Sequence, residues 1–233
     1  MHRFLLILCA ALIAETAAVA QDLSRQEIVV TGSRIDQDDY SDYQPAIGLR
    51  RKADFLVQEV AVRGDTRDGE QRAEEILAML RAAIRSADRG AIELATGSYI
   101  LTRLSLDNVE DVDLLDDRRP DAQRVNILVK APLDGQSVAE AQAAIRAFIE
   151  GVPEVGRAQM DEMGDPTLSI VGPDSYRDAI IAEITSDAKR QAEVIGPDYA
   201  VELTGLNMPV QWTRAGPGEV LLFIPYELTL RPR

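Results

Sequence analysis

The sequence predicts an α+β domain, a mixed or antiparallel sheet with helices packed on one face, and three observations carry that expectation. Segments with apolar residues at helical spacing start behind capping signals. Other runs alternate apolar and polar residues with the period of a strand. The two patterns interleave along the chain and close on a strand pair around the Gly216-Pro217-Gly218 turn.

Taken in order, Phe55 to Arg63 turns apolar with partial alternation and predicts a strand broken at Gln58-Glu59. Asp68 to Ala87 predicts a helix: Asp68 and Gln71 form a capping pair, and Ala73, Ile76, Leu77, Leu80 and Ile84 mark one apolar face that Gly90 brings to an end. Ile92 to Leu106, with Ile100, Leu101 and Leu104, predicts one or two strands before an acidic loop at Asp107 to Pro120. Arg124 to Ala131 alternates as a strand. Ser137 with Glu140 then opens a second helix through Ile149, whose inner face is Val138, Ala141, Ile145, Phe148 and Ile149. Val155 to Val171 predicts strand with a turn at Gly164-Asp165-Pro166. Pro173 starts the longest helix, with Tyr176, Ile180, Ile181, Ile184, Ala188 and Ile195 at helical spacing and Gly196-Pro197 as its stop. Tyr199 to Arg214 and Glu219 to Leu230 are the final strands.

The chain's beginning speaks to compartment. Arg3, the apolar run Phe4 to Ala14, and Ala18-Val19-Ala20 have the form of a cleaved secretory signal over residues 1 to 20. The run is too short to span about 30 Å of hydrocarbon, and no later segment is long and apolar enough to do so. A soluble periplasmic protein, or one associated with the outer membrane, is expected. Leu8 is too bulky for a lipobox before Cys9, so a lipoprotein reading is disfavoured.

Cys9 and His2 are the only cysteine and histidine, and both lie in that signal. Their loss removes the usual thiol nucleophile, neutral-pH base and soft-metal ligands, so triads, zinc sites, redox dithiols and disulfides are not expected of the mature chain. The formal charge of −14 is unchanged by cleavage, because Arg3 and Glu15 cancel, and it disfavours nucleic acid and anionic membrane surfaces as partners. No cofactor is expected.

Residues 21 to 52 are polar and acidic, without a sustained period, and are expected to form a flexible tail; the domain proper is 53 to 233. Tyr40 and Tyr43 lie in that tail and are not read as a site.

Tyr176-Arg177-Asp178-Ala179, the recurring Ala182, Ala188 and Ala192, Gly196, and then Gly218-Glu219-Val220 leading to Pro225-Tyr226-Glu227-Leu228 form a pattern that resembles the SIMPL-domain proteins. These are periplasmic and outer-membrane-associated proteins of Gram-negative bacteria. Ala53-Asp54-Phe55 entering Val60-Ala61-Val62, and the helix from Asp68, fit the family's opening strand and helix. The likeness covers about residues 50 to 231. The family's glycine-rich first strand has only Gly48 near Leu49 as a counterpart. The resemblance implies a non-enzymatic domain that assembles into homo-oligomeric rings or tubes and acts in envelope integrity and stress defence. It carries over no catalytic residue.

Within the tail, Glu27-Ile28-Val29-Val30-Thr31-Gly32-Ser33-Arg34-Ile35 resembles the TonB box of TonB-dependent receptors. The resemblance implies binding to the C-terminal domain of TonB by strand addition, with Glu27, Ile28, Val29, Val30, Thr31 and Gly32 as contacts. The β-branched residues Ile28 to Thr31 suit an extended backbone. The chain has neither the room nor the pattern for a plug and a large barrel. The competing reading is an inherited leader segment or an edge strand of the domain.

Three other features are weighed. Asp107, Glu110, Asp111, Asp113, Asp116 and Asp117 form a dense acidic loop, but Leu114 and Leu115 fall where an EF-hand needs ligands or glycine, so a solvated loop is expected rather than calcium. Asp161 and Glu162, adjacent on a strand, point to opposite faces and read as surface charges. Trp212, Phe223 and Tyr226 read as core. Gly196-Pro197 and Gly216-Pro217-Gly218 are turns, since no Lys-Ser/Thr pair follows them. A hydrolase using carboxylates alone would require two carboxyl groups facing each other across a cleft.

Overall fold

A computed structural model describes residues 26–30, 47–98 and 100–233. The signal segment, Thr31 to Ile35, Tyr40 and Tyr43 lie outside them. Twelve strands and three α-helices are assigned among the described residues: β1 Glu27–Val30, β2 Leu49–Lys52, β3 Phe55–Gly64, α1 Gly69–Ala87, β4 Glu93–Thr96, β5 Thr102–Arg103, β6 Leu115–Asp116, β7 Gln123–Pro132, α2 Val138–Gly151, β8 Gln159–Val171, α3 Arg177–Ile195, β9 Tyr199–Thr204, β10 Gln211–Gly216, β11 Glu219–Phe223 and β12 Glu227–Pro232. The expected α+β class holds.

The main sheet is antiparallel throughout and runs β1-β8-β3-β7-β4-β5, with β6 attached to β7. It curls. The N–H of Leu101 donates to the carbonyl of Glu27 at 3.0 Å, and Ile28 bridges Ile100 just before β5, so the two edges of the sheet meet. Side chains at alternate positions then face either the helices or the inside of the curl. On the helix side, Leu56, Val60 and Val62 of β3 align with Ala131, Ile127 and Val125 of β7, and Leu168 and Ile170 of β8 continue the layer to Ile28.

Helices α1 and α2 cover this outer face. Asp68 caps α1 by accepting from the Gln71 N–H at 2.8 Å, and Ser137 and Glu140 form a full capping box on α2. The buried face of α1 is Ile76, Met79, Leu80, Ala83, Ile84 and Ala87; Ala73 and Leu77, expected within it, lie at its half-buried margin. Helix α3, entered through a 3-10 turn at Pro173–Tyr176, packs elsewhere, against the β12-β9 ladder. It has the same 19 residues as α1, so it is not longer, and Ile195 at its end is exposed.

Four expectations are corrected by pairing. Residues 21 to 52 contribute two strands: Glu27–Val30 joins the main sheet and Leu49–Lys52 pairs with β11. Strand β3 does not break at Gln58-Glu59, and Gly164-Asp165-Pro166 does not turn the chain. Both are sides of one irregularity, where Val57 opposes Thr167 and Glu59 opposes Met163, so Gln58 faces three residues of β8. The buried Gln58 amide donates to the carbonyls of Glu59, Met163 and Gly164 at 2.9 to 3.3 Å, satisfying backbone that the bulge takes out of the ladder. Gly164 supplies the positive φ of +62° that the bulge uses. Finally, the last two predicted strands each divide. Their near halves form the β10-β11 hairpin, whereas their far halves, β9 and β12, pair apart from it.

The turn before β8 is tied to α1 by Glu75. Its carboxylate accepts from the Thr66 hydroxyl at 2.6 Å, the Gln71 amide at 2.9 Å and the Arg157 N–H at 3.1 Å. Gly156, at φ +58°, leaves room for that carboxylate, since a Cβ there would lie 2.3 Å from Glu75 Cδ. The Thr66 hydrogen bond, then the Arg157 N–H, outweigh burial and hold the Glu75 pKa below its ordinary 4.5. Because the folded value is the lower one, this contribution is complete above pH 4.5 and is lost as the pH falls from 4.5 through the folded value. Urea melts of wild type and Glu75→Gln across that range should therefore differ most near neutral pH and converge in acid; parallel curves would contradict the assignment.

Candidate functional site

The inside of the curled sheet holds the chain's most unusual side chain. Lys130 on β7 is 2% exposed, and its Nζ donates to Glu93 of β4 at 3.0 Å and to Glu27 of β1. Glu27 also accepts from the Ser169 hydroxyl of β8 at 2.5 Å, and the ammonium stands 4.0 Å from the centre of the Phe55 ring. In sheet order β1 and β7 are three strands apart, about 14 Å if the sheet were flat. They meet because the sheet curls. A buried ammonium is tolerated only when paired and hydrogen-bonded, and two carboxylates with an aromatic face meet that requirement.

Beside this plug the curl opens into a cavity of about 880 Å³. Val29, Leu128 and Met163 give it an apolar lining, and Glu59, Asp111, Asp113 and Asp165 supply carboxylates; among the described residues no Lys or Arg lines it. Glu59 accepts from the Asn126 amide at 3.2 Å, while Asn126 Oδ1 is buried without a hydrogen-bond partner among the described residues. The β8 bulge places Met163, Gly164 and Asp165 on the cavity wall.

The acidic loop does not converge on one point. Glu110 pairs with Arg81 at 2.5 Å and Asp117 with Arg124 at 3.3 Å and Arg63 at 3.4 Å, while Asp111 and Asp113 face the cavity. The Arg118 N–H, with Arg63 and Arg124, lowers the Asp117 pKa. Among the described residues no three carboxylates are grouped to hold a metal. Asp161 pairs with Arg63 at 3.2 Å and Glu162 with Arg146 at 3.8 Å, as separate surface charges. Phe223 is buried, and Trp212 and Tyr226 pack half-buried against the core, where burial and nearby Asp187 raise the Tyr226 pKa.

Of the residues expected to bind TonB, Glu27 to Val30 lie in β1 and are hydrogen-bonded in register with Val171 to Leu168 of β8. Thr31 and Gly32 fall outside the described residues. Ile28 is fully buried and Val29 nearly so. Strand addition to another domain therefore requires β1 to leave the sheet, exposing Ile28 at about 2 kcal/mol and withdrawing Glu27 from Lys130. Sequence reasoning did not single out Lys130 or Glu93. The signal available was a lysine inside an alternating apolar strand, which is ordinarily a solvent-facing residue.

No family model matches the chain, and no curated protein matches it. Among solved structures, the crystal structure of a hydrolase from Listeria innocua aligns with 82% of this chain and 97% of its own at 12% identity and a TM-score of 0.18, which is too low to bear on fold or activity.

Removing one partner of a buried pair leaves the other charge uncompensated, whereas replacing both with apolar groups does not. Glu27→Leu should therefore lower stability by about 3 kcal/mol, and adding Lys130→Met to it should recover most of that loss. Chemical denaturation of the four species of the cycle measures this, and additive losses would show that the pair is not coupled.

Proposed function

We propose that the chain is a non-enzymatic protein of the Gram-negative cell envelope, SIMPL-like and secreted to the periplasm, which acts by assembling with copies of itself. The observation that supports this reading is the β9-β12 ladder. It is a two-stranded sheet on its own, with one face against α3 and no further strand among the described residues on either outer edge. Unpaired edges are templates for strand addition, and isolated two-stranded ladders gain stability from more strands. Beside it, Val194 is 82% exposed, and Ile195 and Tyr199 are exposed as well. Such a patch at a strand edge suits a subunit contact.

Sedimentation velocity of the mature chain at micromolar concentration should give one defined oligomer. Val194→Asp, at a position with no burial to lose, should shift it toward monomer without moving the urea midpoint. A monodisperse wild-type monomer would overturn the reading.

A second reading, a periplasmic adaptor that engages the C-terminal domain of TonB through residues 27 to 35, is supported by the extended β1 backbone and the shortness of that strand. It requires release of β1. An NMR titration of the labelled mature chain with that domain should then shift the amides of Glu27 to Val30 together with those of Leu168 to Val171, which lose their partner. Unmoved amides in both segments would reject it.

A further inference from the structure

The geometry points to the curled-sheet cavity as a binding site for an organic ammonium or guanidinium ion that carries an apolar body. This goes beyond self-assembly and does not depend on it. The volume of about 880 Å³ lies within the range of small-molecule sites. Its lining divides by chemistry. Val29, Leu128 and Met163 offer apolar surface, which an apolar group covers with gain. Glu59, Asp111, Asp113 and Asp165 set a negative field, and no Lys or Arg among the described residues lines the cavity to offset it.

Lys130, on the inner side of the same strand as Leu128, is already held by Glu27 and Glu93. Fatty acids and other anions are thereby disfavoured. The polar groups also specify hydrogen-bond direction. Asn126 gives an amide N–H to Glu59, an exposed carboxylate on the cavity wall that can accept further N–H groups. An N–H of a bound cation supplies that carboxylate with a charge-assisted hydrogen bond. A quaternary ammonium has no N–H to give and fits less well.

The test is isothermal titration of the mature chain with n-octylammonium, n-octanol and n-octanoate below their aggregation concentrations, together with methyl NMR of Leu128 and Met163. Octylammonium should bind saturably and at least about ten-fold more tightly than octanol, the worth of one charge-assisted hydrogen bond, and octanoate should not bind. Leu128 and Met163 methyl signals should shift with the same isotherm. Glu59→Gln should weaken octylammonium about ten-fold while the urea midpoint stays constant, since Glu59 is exposed. Asp165→Asn provides a second substitution on a different strand, and Glu183→Gln on the exposed side of α3 should have no effect. Equal affinity for octanol and octylammonium would overturn the proposal. So would equal weakening by Glu59→Gln and Glu183→Gln, which would mark general attraction to an acidic protein, or binding that leaves Leu128 and Met163 unmoved.

Discussion

The ammonium of Lys130 is the constraint on which the arrangement of the main sheet depends. Placed on the inner side of β7, it must find counter-charges without water, and those available are Glu93 on the neighbouring strand and Glu27 three strands away. Meeting both demands draws the sheet into a curl and turns a four-residue segment far from the domain in sequence into a strand. Ile28 follows Glu27 into place on the other face and joins the buried core there. The pair thus couples the order of β1 to the interior of the sheet rather than to its surface.

Curling creates the cavity, and the β8 bulge shapes it. Without Gln58 the two extra residues of β8 would leave carbonyls without donors inside the sheet, a cost of about 1–3 kcal/mol for each unsatisfied group. With it, Met163 and Asp165 are turned onto the cavity wall. A device that repairs the backbone therefore also decides which side chains line the opening. The open β9-β12 ladder, by contrast, lies on the α3 side of the molecule, so assembly and small-molecule binding need not share residues.

Much of the fold was legible in the chain. Helices α1 and α2 were visible because their caps are local, between residues three apart, and their apolar faces repeat every turn. Strand β7 was visible for the same reason at period two. What escaped was any feature made by residues distant in sequence. Gln58 and Glu59 looked like a break because a polar pair interrupts the apolar run, and only the bulge 105 residues later explains Gln58. Gly164-Asp165-Pro166 looked like a turn because those residues are turn formers, and a bulge uses the same chemistry.

The sequence by itself determined the α+β class, the positions of the helices and the acidic balance, because caps, periodicity and charge are properties of neighbouring residues. Tertiary structure decided the rest. Whether Glu27 to Val30 is a free peptide or a strand, whether Lys130 meets water or two carboxylates, and which acids of the Asp107 to Asp117 loop face a cavity rather than an arginine all depend on sheet order and curl. Pairing energies that join residues about 100 positions apart have no local signature, and the side-chain pattern of an edge strand is the same as that of an exposed peptide ready to become one.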